Sequence, residues 1–219
     1  MERITDAFVW PARDPQWLGK VLIIGLILLI PIVGAINGLG WMLATLDRLR
    51  AGEERLPPAG VGYLGRGIRL FMVQLVYGAV LLLLVAVFYL PGVLVFVHEG
   101  RGTADIGLVS FGLLLNLLSF SLGSLGGLAL TFLSPSIVLA TDKGGIAGGL
   151  RIRDVLHRSR ASVTNTLIAG LMLIAASFIG SLGSIACVVG IVFTLSYSLA
   201  IQAWIIRSFE LGAAAPRAA

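Results

Sequence analysis

Three stretches of this chain, residues 70–97, 106–141 and 161–206, contain no Asp, Glu, Lys, Arg or His. A membrane-spanning helix needs about 20 predominantly apolar residues to cross a hydrocarbon core about 30 Å thick. Each stretch meets that length, and the third is long enough for two crossings. In hydrocarbon the backbone polar groups must bond within their own segment, which a helix achieves. The chain is 12% charged, about half the share usual in soluble domains. These features define an all-α integral membrane protein.

The remaining charge is grouped. Of the 16 Lys and Arg residues, Arg101 alone lies in the polar segment His98–Asp105. The others fall in the N-terminal region, in 47–69, in 141–160 or at the C-terminal end. Cationic residues gather on cytoplasmic loops and are drawn to anionic lipid. The net charge of +5 is therefore read as membrane topology, and no nucleic acid is expected as a partner. Cys187 is the single cysteine, which excludes an intrachain disulfide and a cysteine cluster for a metal. The N-terminus alternates acidic and basic residues, so the first apolar run is expected to be retained and not cleaved.

The segment Asp14–Pro58 sets the topology. Asp14-Pro15 is a helix start. Leu18–Ile30 is apolar except for Lys20, whose ammonium can reach back to the surface. Pro31–Gly34 breaks the run, and Ala35–Leu46 follows. As one kinked helix Leu18–Leu46 would extend about 43 Å, more than the core needs. As a hairpin it has two short or re-entrant arms. Charge favours the hairpin, because one kinked helix would carry Arg3, Arg13 and Lys20 to the side poor in cations. Both termini are then cytoplasmic.

The same theme recurs along the chain. About six transmembrane or re-entrant arms are expected in three hairpin units within one membrane domain, 1–219. The arms are 18–50, then 70–97 with 106–140, then 163–209. Each unit is preceded by a short interfacial amphipathic helix, at 1–17, 59–69 and 144–160. Gly123, Gly126 and Gly127 are expected to bend the long run 106–140. Gly180–Gly183 and Val188–Gly190 offer the turn inside 163–209. The end, 211–219, is expected to be a flexible tail.

Candidate chemistry is sparse. Proton relays and ion-coupled transporters generally need ionisable groups at depth, and the apolar runs have none. The serines in those runs have no adjacent base, so no catalytic residue, no cofactor and no metal site is expected. Asn37, Gln74, Asn116 and Gln202 are expected as buried polar helix contacts, facing one another through interhelical hydrogen bonds. Small residues at four-residue spacing (Gly34/Gly38, Ser119/Gly123/Gly127) read as packing faces. Lipid or partner contacts are expected from Arg151, Arg153, Arg158 and Arg160, with Asp154 pairing to Arg158. Arg66 and Arg69 belong to the same class, as do Trp10 and Trp17, whose rings suit the headgroup boundary.

One family resemblance accompanies this reading. Trp10-Pro11, Asp14-Pro15-Gln16-Trp17, Pro31-Ile-Val-Gly34, Gly40-Trp41-Met42, Leu49-Arg50, Gly52-Glu53 and Leu56-Pro57 resemble the DUF4013 family of bacterial and archaeal membrane proteins. GGIAGGLRIRDVLHRSR and the segment Tyr197–Trp204 are also similar. The resemblance implies a small polytopic bundle and assigns no catalytic residue. The expected function is non-enzymatic: an accessory, scaffold or assembly subunit of a larger complex in a bacterial inner membrane. Its partners would be membrane lipids and other membrane subunits or itself. The alternative is a small transporter or channel for an uncharged or amphipathic solute, with a lipid-modifying enzyme as a third reading.

Overall fold

A computed structural model describes residues 6–99, 105–183 and 187–214. Among them only helix and connecting turns occur. The elements are α1 (Asp6–Val9), a 3-10 turn (Trp10–Arg13), α2 (Trp17–Leu28), α3 (Val33–Arg50) and α4 (Leu64–Glu99). After these come α5 (Ile106–Leu150), α6 (Ile152–Ala161), α7 (Val163–Leu182) and α8 (Cys187–Ala214). Among the described residues, four helical stretches are long and apolar enough to cross a membrane: Leu64–His98, Ile106–Leu150, Val163–Leu182 and Gly190–Gly212. The protein is thus helical and multi-pass in character. α2, at 12 residues, rises only about 18 Å and is below spanning length.

The helices group into two compact units, one made by the chain up to Val73 and from Thr131 onward, the other by Gln74–Leu130. In the first unit α8 is the central element and packs on α7, α2 and α3. Val21 and Ile24 of α2 share a buried cluster with Trp41 of α3, Trp10, Leu56 and Ala200. An adjoining cluster joins Met42, Leu46, Leu70, Leu139, Leu173, Ile205 and Phe209. The two clusters carry apolar faces of α2, α3 and α7 toward α8.

The break at Pro31–Gly34 is a tight turn. Val33 N–H donates to the Pro31 carbonyl at 2.6 Å, with Ile32 at φ 63° and ψ −60°. That is a γ-turn of the rare, strained kind. Beyond it α3 runs back along α2, with Gly34 against Ile27 and Gly38 against the Leu28 side chain. α3 ends in a Schellman motif. Gly52 has φ +79°, its N–H reaches the Leu49 carbonyl, and Glu53 N–H reaches that of Arg48.

The second unit is an antiparallel pair formed by α4 from Gln74 onward and α5 up to Leu130. Leu81 meets Gly126, Val85 meets Gly123, and Gly92 meets Asn116. Ser119 Oγ donates to the Val85 carbonyl at 3.0 Å. The expected bend at Gly123–Gly127 is absent, because Gly123 and Gly126 serve close helix approach. The break in α5 falls at Gly145 (φ 63°, ψ −158°).

The interfacial pieces also differ from expectation. Residues 53–63 are not helical, and the helix that begins at Leu64 continues without interruption to Glu99. Residues 144–160 divide at Gly145 and Arg151 into a short helical turn and α6. The stretch around α1 is docked, with Ala7, Trp10 and Pro11 buried and Phe8 accepting the Tyr197 hydroxyl at 2.6 Å. α8 continues through Ala214, into the region expected as a tail. Arg3, Arg101, the middle of the 98–105 loop, Ser184, Ala186 and residues 215–219 lie outside the described residues.

Candidate functional site

The polar features of the first unit are built from single charges at the ends of apolar helices. Asp14 stands just ahead of α2, where Trp17 N–H bonds its carbonyl. Its buried carboxylate accepts from Gln16 N–H (2.9 Å), Lys20 Nζ (2.7 Å) and Leu56 N–H (3.0 Å). Lys20 also donates to the Leu56 carbonyl at 2.8 Å. Lys20 therefore turns inward to hold the 51–63 loop, and does not reach for solvent as the sequence suggested. Burial alone would raise the Asp14 carboxyl, but Lys20 and the two backbone N–H groups hold it below its ordinary value. On the opposite flank of the same loop, Asn37 is fully buried. It donates to the Gly60 carbonyl and accepts from Tyr63 N–H.

A larger network joins α3, α4, α5 and α8. Arg50 donates to Glu210 through Nε (2.9 Å) and Nη2 (3.2 Å), and through Nη1 to Asp142 (2.7 Å) and Asp47 (3.3 Å). Arg66 donates to Asp142 at 2.7 Å and pairs with both oxygens of Asp47. Arg207 and Lys143 approach Glu210 at 3.2 and 3.8 Å. Burial opposes the Arg50 charge, but Glu210 and Asp142 more than offset it and hold the guanidinium above its ordinary value. The planar fork of arginine allows one side chain to bridge three carboxylates.

Beside this network lies a cleft of about 670 Å³ between the ends of α5 and α8 and helix α6. α6 is fixed from below. Val155 and Ser159, one turn apart, face inward, and Ser159 Oγ donates to Ser136 Oγ at 2.8 Å. Thr166 Oγ1 donates back to the Ser159 carbonyl at 2.8 Å. That orientation turns His157 and Arg158 into the cleft, where Lys143 and Arg207 join them. Asp154 and Glu210 supply its negative charge. The expected Asp154–Arg158 ion pair does not form within 4 Å, although both line the cleft.

The structure distributes the residues singled out from the sequence as follows. Arg151, Arg153, Arg160 and Arg69 are exposed. Arg66 is not free for lipid, because Asp47 and Asp142 take its guanidinium. Trp10 is 1% exposed and belongs to the core, which corrects its reading as a headgroup anchor. Trp17 is half-buried, its ring edge-on to Tyr197 at 5.8 Å. The four amides do not act as one polar group. Gln74 is exposed, which corrects its reading as a buried contact. Asn116 bonds the Gly112 carbonyl and Gln202 bonds Ser198 Oγ, each within its own helix. Sequence reasoning missed Asp47, Asp142 and Glu210. Their available signal was shared position, since each follows directly on an apolar segment and faces the cation-rich side.

Neither a curated protein nor a solved structure matches the chain significantly. A family model described as "Protein of unknown function (DUF4013)" matches residues 23–206. With most of its length matched, from within α2 to within α8, the chain belongs to the DUF4013 family.

Proposed function

We propose that this protein is a non-enzymatic, multi-pass membrane subunit that scaffolds or helps assemble a larger membrane complex. The observation that supports this is a groove on the second unit lined by Val85, Tyr89, Asn116, Ser119, Gly123 and Ser124. It lies among large exposed apolar residues such as Leu82, Leu113 and Phe120. Small and weakly polar residues in such a surface are what transmembrane helices use to approach one another, since lipid gives apolar side chains no reason to associate. The occupant proposed is a transmembrane helix of another chain.

In this reading α2–α3, α4–α5 and α7–α8 are three hairpin units, and the charged end of the first unit faces the cytoplasm with both termini. On this reading every cation but Arg101 lies on that side, and residues 70–97, 106–141 and 161–206 hold no Asp, Glu, Lys, Arg or His, which argues against an enzyme. A small transporter would need polar groups gathered along a passage, but Asn37 is spent on the backbone of the following loop, and Asn116 and Gln202 on bonds within their own helices.

Purification in mild detergent followed by mass spectrometry tests the proposal. A stoichiometric partner subunit is expected, and its loss on Ser124→Leu or Tyr89→Ala, both exposed positions of the groove. A solitary monomer or homo-oligomer would overturn it. For orientation, Ala12→Cys in a Cys187→Ser background is expected to resist a membrane-impermeant thiol reagent added outside. Prompt labelling of intact cells would reverse the topology.

A further inference from the structure

The cleft at α6 has the chemistry of a site and not merely of a charged surface. Lys143, Arg158 and Arg207 converge on it from three helices, with His157 beside them. Arg158 and His157 form no ion pair among the described residues. Arg207 gives Nη1 to Glu210, but its Nε is buried and has no acceptor. Three cations, Lys143, Arg158 and Arg207, face two carboxylates, Asp154 and Glu210, so the cleft carries surplus positive charge that an anion would neutralise. Leu139, Ala161 and Leu211 add an apolar wall, and the charge-free runs of α5 and α8 end at Thr141 and Ile206, beside the cleft's Lys143 and Arg207. The cleft therefore lies where a bilayer passes from hydrocarbon to headgroup.

The negative groups refine the ligand. Glu210 is committed to Arg50 and Arg207. Asp154 is exposed and unpaired among the described residues. It disfavours a doubly charged phosphate and would accept a bond from a donor on a headgroup.

We propose that this cleft binds the phosphodiester of a glycerophospholipid, held by Lys143, Arg158 and Arg207, with a headgroup hydroxyl or ammonium on Asp154. This rests on the reading that the charged end of the first unit lies at the membrane surface, but not on the presence of a partner subunit. A chain that retains lipid yet captures no partner would overturn the scaffold reading alone.

The test is native mass spectrometry of the delipidated full chain with phosphatidylglycerol, phosphatidylethanolamine or phosphatidylcholine added back. Retention of the first two over phosphatidylcholine, which has no donor on its headgroup, is expected. Lys143→Ala with Arg158→Ala is expected to cut retention by more than about tenfold. Arg151→Ala with Arg153→Ala, outside the cleft, should change it less than about twofold. Asp154→Ala should retain lipid but lose the preference over phosphatidylcholine, and it keeps the proposal testable should the cationic variant fold poorly. Equal retention of all three lipids, or equal loss in both arginine-containing variants, would overturn the proposal. Displacement by soluble glycerol 3-phosphate at concentrations comparable to the lipid would also overturn it, by assigning the site to a free phosphate ester.

Discussion

Arg50, at the last position of α3, holds both carboxylate oxygens of Glu210 in α8 through two hydrogen bonds across 160 residues of sequence. The same guanidinium reaches Asp142. Removing it leaves two partly buried carboxylates short of a partner. Arg50→Ala is expected to destabilise the protein by about 2–3 kcal/mol. Arg50→Lys should recover less than half of that, since one ammonium cannot span both carboxylates. Detergent-solubilised protein followed by intrinsic Trp fluorescence during unfolding would measure both. A loss below about 0.5 kcal/mol would make the network a weak surface arrangement.

Asp14 gives the protein an acid-sensitive clasp. Its folded-state pKa is lowered, so the unfolded chain takes up its proton first as pH falls. The stabilisation is complete above the ordinary carboxylate value of about 4 and is lost as pH drops through the lower folded value. Asp14→Asn should therefore cost about 2 kcal/mol at neutral pH and almost nothing once the carboxylate is protonated. Unfolding midpoints of the two proteins, plotted against pH, should converge at the acid end. Parallel curves would show that Asp14 does not carry the effect.

Ile32 sits at φ 63° with its side chain 64% exposed. A β-branched residue there costs about 1–3 kcal/mol in backbone strain and repays little by burial. Ile32→Gly is expected to raise stability by about 1 kcal/mol, the relief of strain exceeding the entropy of glycine in the unfolded chain. A lower thermal midpoint for that variant would contradict the turn geometry.

Two glycines at the start of α4 should respond with opposite signs. A Cβ added at Gly65 meets nothing within 4 Å, whereas at Gly67 it would overlap the Ile36 carbonyl of α3. Gly65→Ala should stabilise by about 0.5–1 kcal/mol through helix propensity. Gly67→Ala should destabilise by about 1–3 kcal/mol by forcing α3 and α4 apart. Thermal unfolding of the pair is the measurement, and equal shifts would exclude this packing.

The long helices were legible because composition alone excludes other structures for uncharged runs of that length. The turn at Pro31–Gly34 was legible as a break, but not as a γ-turn, since nothing in Pro-Ile-Val-Gly announces a positive φ at isoleucine. Gly145 rather than Gly126 ends the straight part of α5. A glycine that permits close packing and one that permits a left-handed backbone look alike in sequence. Arg66 was read as lipid-facing because its acceptors, Asp47 and Asp142, are brought to it only by folding. Trp10 beside Pro11 has the pattern of a boundary aromatic, yet Trp41 and Leu56 enclose it. Arg158 was found by charge patterning, and the cleft around it was not, because Lys143 and Arg207 come from other helices.

The order of synthesis adds a consequence to the Arg50 network. Arg66 is made 76 residues before Asp142, and Arg50 is made 92 before Asp142 and 160 before Glu210. While the intervening helices are being inserted, Asp47 is the one carboxylate of this network already made. Both arginines are then available to the cation bias that orients a nascent chain. Asp142 then reaches both arginines, and once α8 arrives Glu210 completes the pairing of Arg50. On the topology proposed above, the charges that direct insertion become the bolts that close the finished bundle, and a chain truncated before Glu210 would be oriented but not locked.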